Sequence, residues 1–237
     1  MVAGSLTNPE GTGIRAVERR WIVAVAIAAV LAIAGAMSPE LRWLHYACKP
    51  LATLLIAAMV LTSSGGSVRY RRAVLAGLLL STLGDVFLML APSPPGPDWF
   101  VFGLASFLLA HVAYLVAFCG RARLLATWWP FALYALVGIA VLAVLRPHLP
   151  DALRWPVYAY VVVLSAMAAQ AVVAWARSPD RSTAAAAVGG AFFVASDATL
   201  ALDRFVAPLP MALVIVLATY WIAQLLIGLS ATRMARS

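Results

Sequence analysis

The chain alternates long apolar runs with short polar or Pro/Gly-rich ones. Eight runs, at 21–37, 44–63, 73–91, 99–119, 128–145, 155–176, 184–202 and 208–230, come close to the roughly 20 residues a helix needs to cross a bilayer. Backbone in lipid must satisfy its own N–H and C=O groups, so each run is expected to be helical. The expected fold class is all-α: a polytopic bundle of eight transmembrane helices over 21–230, with tails at 1–20 and 231–237. The run at 44–63 is the least uniform, with Lys49 and Pro50 in its first turns. Pro130, Pro156, Pro208 and Pro210 fall at or near helix starts, where a missing N–H matters little. Pro92, Pro94, Pro95 and Pro97 make 92–98 a loop.

Composition supports the membrane class: 64% of the 237 residues are hydrophobic and 11% charged, against about 25% charged in soluble domains. The mean hydropathy is +0.95. The formal charge of +8 does not imply nucleic acid, because the basic residues sit in short connections without an interleaved aromatic patch. They read as topology signals and contacts to anionic membrane lipids. With the N-terminus inside, twelve basic residues fall on the inner side: Arg15, Arg19, Arg20, Arg69, Arg71, Arg72, Arg121, Arg123, Arg177, Arg181, Arg233 and Arg236. Five fall outside: Arg42, Lys49, Arg146, Arg154 and Arg204. The positive-inside rule therefore places both termini in the cytoplasm, and the expected location is the cell membrane, as a multi-pass protein. "AGA" at 34–36 resembles a signal-peptide cleavage site, but a retained first helix is favoured because the rest of the chain is polytopic. Cys48 and Cys119 lie in or beside apolar runs, where a structural disulfide is not expected, and two cysteines cannot build a metal site alone.

Asp85, inside "LLLSTLGDVFLML", and Asp197 are the only acids well within runs; Asp203 lies at a helix end. An ionised Asp at mid-membrane costs about 2.5–3.5 kcal/mol on insertion scales, so two of them suggest function. Gly77 precedes Asp85 by eight residues and Gly189 precedes Asp197 by eight. The third and seventh helices run the same way and place their acids at nearly equal depth, a hint of a parallel repeat of two four-helix halves. Two nearby carboxylates in a low-dielectric medium share one charge more readily than two, and one protonated beside one ionised acid suits acid/base chemistry. The structural alternative is a pair of helix-bridging hydrogen bonds to Ser, Tyr or Lys.

Gly77, Ser81 and Asp85 share one helix face, as do Gly189, Phe193 and Asp197. Small residues there permit either close helix approach or room for a ligand. His111 and Tyr114 lie one turn apart on the fourth helix, and Tyr220 and Gln224 on the eighth. His111 is a candidate proton shuttle, phosphate ligand or plain core histidine; Tyr220 and Gln224 are candidate orienters. Lys49, with Tyr46 one turn before it, has three readings: a lipid-phosphate ligand, a partner for an Asp, or a snorkelling surface residue. "GTGIRA" at 11–16 has no preceding strand and is discarded as a dinucleotide motif. No G-x-S-x-G or H-E-x-x-H occurs.

"YACKPLATLL" (46–55), "STLGDVFLML" (81–90), "FVFGLASFLLAHVAYLVAF" (100–118), "GGAFFVASDATLAL" (189–202) and "TYWIAQLLIG" (219–228) resemble the YhhN/TMEM86 family of multipass membrane proteins. The resemblance covers roughly 20–230. It implies a lysoplasmalogenase, which hydrolyses the vinyl ether of a lysophospholipid to a fatty aldehyde and a glycerophospho-base. It implies Asp85 and Asp197 as the catalytic pair, for a chemistry that requires no metal or organic cofactor. Lys49, Tyr46, Ser81, His111, Tyr114, Ser196, Tyr220 and Gln224 are the candidate substrate-binding residues. Which Asp holds the proton does not follow from the residues. The competing reading is a transporter using the two acids as proton or cation sites; the lack of proline at span centres leans against it. Oligomeric state has no signature in the sequence.

Overall fold

The structure, a computed structural model, describes residues 9–64, 66–91 and 98–233, with side chains from residue 17 onward. Among the described residues eight α-helices follow one another: α1 (Pro9–Met37), α2 (Arg42–Thr62), α3 (Val68–Leu90), α4 (Trp99–Cys119), α5 (Trp129–Leu145), α6 (Asp151–Arg177), α7 (Arg181–Phe205) and α8 (Ala212–Thr232). Short 3-10 turns precede α2 and follow α5. Each helix contains a stretch long and apolar enough to span a bilayer. The chain is an all-α, multi-pass membrane protein, and among the described residues there is no strand.

The helix ends depart from the apolar runs for local reasons. Within the described residues α1 runs from Pro9, so 9–20 are helical where a tail was expected. α7 starts at Arg181 because Asp180 caps it: the Asp180 carboxylate accepts from the Thr183 N–H at 2.7 Å, and Thr183 returns a bond to the Asp180 N–H. α8 begins four residues later than expected, leaving Pro208 and Pro210 in the connection. Asp203 in the last turn of α7 accepts the Leu209 N–H at 2.8 Å and so closes that connection. Pro50 and Pro156 lie inside α2 and α6, not in their opening turns. A proline at 50 removes the N–H that would bond the Tyr46 carbonyl, so α2 is locally loosened beside Lys49. Of the loop expected at 92–98, residues 92–97 lie outside the described residues, as do 1–8 and 234–237, and Asp98 is the cap of α4.

The packing repeats itself. α3 lies along α4 as α7 lies along α8, α1 pairs with α2 as α5 does with α6, and α2 meets α3 as α6 meets α7. The crossed contacts correspond too, since α2 packs on α8 and α6 on α4. This is the neighbour pattern of two parallel four-helix halves. α1 belongs to the bundle: Val25, Ala28 and Ala32 are buried in the main core with Ile56, Leu78, Phe118, Phe193 and Ile227. Small residues decide the closest approaches. A methyl group added at Gly77 would fall on the Tyr114 ring, and one at Gly189 would stand 2.9 Å from the Ile227 side chain. Both glycines therefore serve helix contact rather than leaving space for a ligand.

Candidate functional site

Two acids placed at matching depth on α3 and α7 face one cavity of about 370 Å³. Its lining runs to the end of the bundle where α2, α4, α6 and α8 begin, through Arg42, Phe100, Val157 and Leu213. Its volume lies in the range of small-molecule sites. One flank is apolar, with Leu88, Leu104, Val141, Leu145, Val161 and Leu164 from α3 to α6. The other gathers Lys49, Asp85, Tyr160, Asp197 and Tyr220, with Arg42, His45, Tyr46 and Arg204 also in the lining.

The two acids have different company. Asp85 is almost fully buried. The Lys49 ammonium lies 3.4 Å from Asp85 Oδ1, and the Tyr220 hydroxyl donates to Asp85 Oδ2 at 2.7 Å. Thr53 Oγ1 stands 3.5 Å from the same phenol. Lys49 therefore satisfies an acid rather than snorkelling; its side chain is 12% exposed. Asp197 has no such cation among the described residues. The Tyr160 hydroxyl donates to Asp197 Oδ2 at 2.5 Å, and His111 Nε2 lies 3.9 Å from the same oxygen, too far for a hydrogen bond. Neither ring nitrogen of the fully buried His111 has a hydrogen-bond partner among the described residues. The Asp197 side chain keeps 14% exposure, so it is the more accessible of the two.

These partners are related by the internal repeat. Asp85 on α3 is met by Lys49 from α2 and Tyr220 from α8. Asp197 on α7 is met by Tyr160 from α6, while His111 from α4 stands near it without a hydrogen bond. Lys49 precedes Asp85 by 36 residues and Tyr160 precedes Asp197 by 37. Corresponding helices thus supply corresponding partners, but a lysine on one side has become a tyrosine on the other. One carboxylate stands beside a fixed positive charge and the other against a phenol.

Aromatic rings build the floor beneath the acids. Phe193 packs edge-on against His111 at 4.5 Å and Tyr220 at 5.7 Å, and His111 packs edge-on against Tyr160 at 5.2 Å. Phe107 closes the row at 5.9 Å from Tyr220. These contacts hold the Tyr160 and Tyr220 rings, and so the direction of their hydroxyls.

Of the residues expected at the site, Asp85, Asp197, Lys49, Tyr46, Ser196 and Tyr220 line the cavity. Ser196 spends its hydroxyl on the Val216 carbonyl at 3.0 Å. Ser81, His111, Tyr114 and Gln224 do not line it. Tyr114 donates to Gln224 Oε1 at 2.6 Å, a buried bond tying α4 to α8 behind the floor. Ser81 is buried, with no hydrogen-bond partner among the described residues. The sequence reading missed Tyr160, Thr53, Arg42 and Arg204. A tyrosine in an apolar run looks the same whether it faces lipid or an acid. Arg42 and Arg204 were counted only as topology signals.

A bundle of eight helices long and apolar enough to span a bilayer, around a pocket lined by two acids and a lysine, defines a multi-pass membrane protein with ionisable groups held inside the bundle. The chain belongs to the YhhN family, whose profile matches residues 44–231. It is similar to human lysoplasmalogenase TMEM86A, 36% identical over 161 residues that make up 67% of this chain and 64% of that protein. Human lysoplasmalogenase TMEM86B is 32% identical over 82% of this chain and 78% of its own length. A lysoplasmalogenase of Mycobacterium bovis is 39% identical over 66% of this chain and 58% of its own. The match thus spans just under two thirds of the length of TMEM86A. No solved structure matches the chain.

Proposed function

We propose that this protein is an intramembrane hydrolase that cleaves the vinyl ether of lysoplasmalogen-type lysophospholipids, giving a fatty aldehyde and a glycerophospho-base. The names of its relatives support the substrate class. The observation that carries the mechanism is the unequal partnering of two carboxylates that face one cavity. Both termini would lie in the cytoplasm, which leaves the Arg42 end of the cavity toward the outer face of the cell membrane.

A vinyl ether, R–CH=CH–O–R′, hydrolyses once its β-carbon is protonated. Asp197 is the acid: it has no cation beside it, and its proton goes to the β-carbon as the π electrons form the new C–H bond. The resulting oxocarbenium ion carries its charge on the α-carbon and ether oxygen. Asp85 is the carboxylate that faces this charge, with Lys49 and the Tyr220 hydroxyl fixing its position. Water adds to the α-carbon and gives a proton back to Asp197. The hemiacetal then loses its hydroxyl proton, the C–O bond to glycerol breaks with protonation of the glycerol oxygen, and the aldehyde leaves. One water is consumed and both acids end as they began.

The test is purified protein in detergent with 1-alkenyl-lysophosphatidylcholine in D2O. Fatty aldehyde carrying one deuterium at C2, together with glycerophosphocholine, is the expected product. Release of a fatty acid, or no aldehyde from folded protein, would sink the proposal.

A further inference from the structure

Five basic residues were expected at the outer end of the bundle, against the usual bias of that side. Three of them, Arg42, Lys49 and Arg204, line the cavity. Of the remaining two, Arg154 pairs with Asp151 at 2.8 Å. Lys49 is committed to Asp85. Arg42 and Arg204 make no ion pair among the described residues. Asp98 lies near enough to Arg204 to act on its charge without pairing with it, and it caps the Val101 N–H, while Asp203 accepts the Leu209 N–H.

Arg204 is nonetheless held in place. Its guanidinium lies over the Phe100 ring, 3.9 Å from the centroid, and 5.9 Å from that of Phe205. Such stacking fixes the plane of the group while leaving its N–H edge free for an oxyanion.

The spacing sets the distance to the acids. Arg42 precedes Lys49 by seven residues on α2, and Arg204 follows Asp197 by seven on α7. Seven residues are nearly two turns, so each arginine shares a helix face with its site residue and stands about 10 Å nearer the bundle end. In a lysoplasmalogen seven bonds link the β-vinyl carbon to phosphorus. An extended chain advances about 1.2 Å per bond, so the two atoms stand roughly 8 Å apart. Guanidinium reach makes up the difference.

We propose that Arg42 and Arg204 form a two-point clamp for the phosphodiester of the lysophospholipid, holding the head group at the cavity mouth with the vinyl ether between Asp85 and Asp197. The clamp rests on the hydrolase reading for the identity of the lipid but not for the existence of the site. It recognises the phosphate and leaves the choline or ethanolamine beyond it free. The enzyme would therefore tolerate changes of base but not loss of phosphate.

The test uses non-cleavable saturated analogues, so binding is read apart from turnover. The full-length protein in detergent is titrated calorimetrically with 1-alkyl-lysophosphatidylcholine and with 1-alkylglycerol, which lacks the phosphate. The wild type should bind the phospholipid roughly tenfold or more tightly, as expected for charge-assisted bonds at a partly exposed site. Arg42→Gln and Arg204→Gln should each erode that preference while leaving 1-alkylglycerol affinity unchanged. Inorganic phosphate at equal concentration should not displace the lysolipid; displacement would assign the arginines to free anions and overturn the lipid clamp. Equal binding of both analogues by the wild type, or a preference that survives both substitutions, would also overturn it. A phosphate preference that the substitutions abolish, in a protein that releases no aldehyde from the alkenyl lipid, would uphold the clamp and reject the hydrolase.

Discussion

The Tyr160 hydroxyl reaches from α6 to Asp197 on α7 and donates to Oδ2 at 2.5 Å. One oxygen of the acid is thereby committed, and the other is left to hold or release a proton toward the cavity. Tyr160 is a positioning residue in this account. Tyr160→Phe keeps the ring that packs on His111 and removes only the donor. We expect kcat to fall about a hundredfold, as when one preorganised donor is lost, with KM and thermal midpoint little changed. A merely structural role predicts the reverse, a lower midpoint with kcat preserved per folded molecule.

The Lys49–Asp85 pair separates stability from catalysis. Removing one partner of a buried ion pair leaves an uncompensated charge, commonly a loss of about 3–5 kcal/mol. Lys49→Met and Asp85→Asn should each lower the thermal midpoint in detergent. The double variant removes both charges and should recover much of the stability lost in Lys49→Met. It should recover no aldehyde release, because the anion that faces the oxocarbenium ion is gone. Recovered activity in the double variant would show that Asp85 serves only to hold Lys49.

Gly77 tests the support behind the site. A methyl there meets the Tyr114 ring, which is fully buried and bonded to Gln224. Gly77→Ala should force that ring aside and destabilise the fold by about 1–3 kcal/mol, the usual range for overpacking. Thermal denaturation checks this. An unchanged midpoint would mean that α3 and α4 part easily.

Asp180, outside the spans, gives a pH-dependent contribution of known sign. Partial burial pushes its carboxyl up, but the Thr183 N–H and the Arg121 guanidinium at 2.6 Å outweigh that and hold it below the ordinary carboxylate range. The folded value is the lower one. Its stabilisation is therefore present above the unfolded value, near 3.9, and is lost as pH falls through the folded value. Asp180→Ala should cost about 0.5–2 kcal/mol at neutral pH through the lost cap, with the deficit shrinking below pH 4. A deficit that stays constant down to the acid limit would show that charge plays no part.

All eight helices were legible because length and hydropathy are sufficient to identify a membrane span. Their ends were less so: α6 and α7 run past their apolar cores since Asp151 and the Asp180 cap start them earlier in polar sequence. Asp85 and Asp197 stood out because an acid in an apolar run has no cheap explanation. Their partners did not. Tyr160 carries no mark that separates it from a lipid-facing aromatic, and Lys49 had three readings until α2 was set beside α3. The matched Gly–Asp spacing did point to the repeat, and the packing bears that out, yet the exchange of Lys49 for Tyr160 between the halves required the fold. Gly77 and Gly189 were open between packing and ligand space; the rings and side chains against them decide for packing.

The central claim is that Asp197 delivers the proton while Asp85 carries the balancing charge. It is tested most directly by aldehyde release from 1-alkenyl-lysophosphatidylcholine by wild type and Asp197→Asn, each shown to be folded by its thermal transition. Asparagine preserves the shape and the bond to Tyr160 but cannot supply a proton. The account predicts a fall of at least about a thousandfold in kcat, within the range for loss of a general acid. A rate within tenfold of wild type would contradict it.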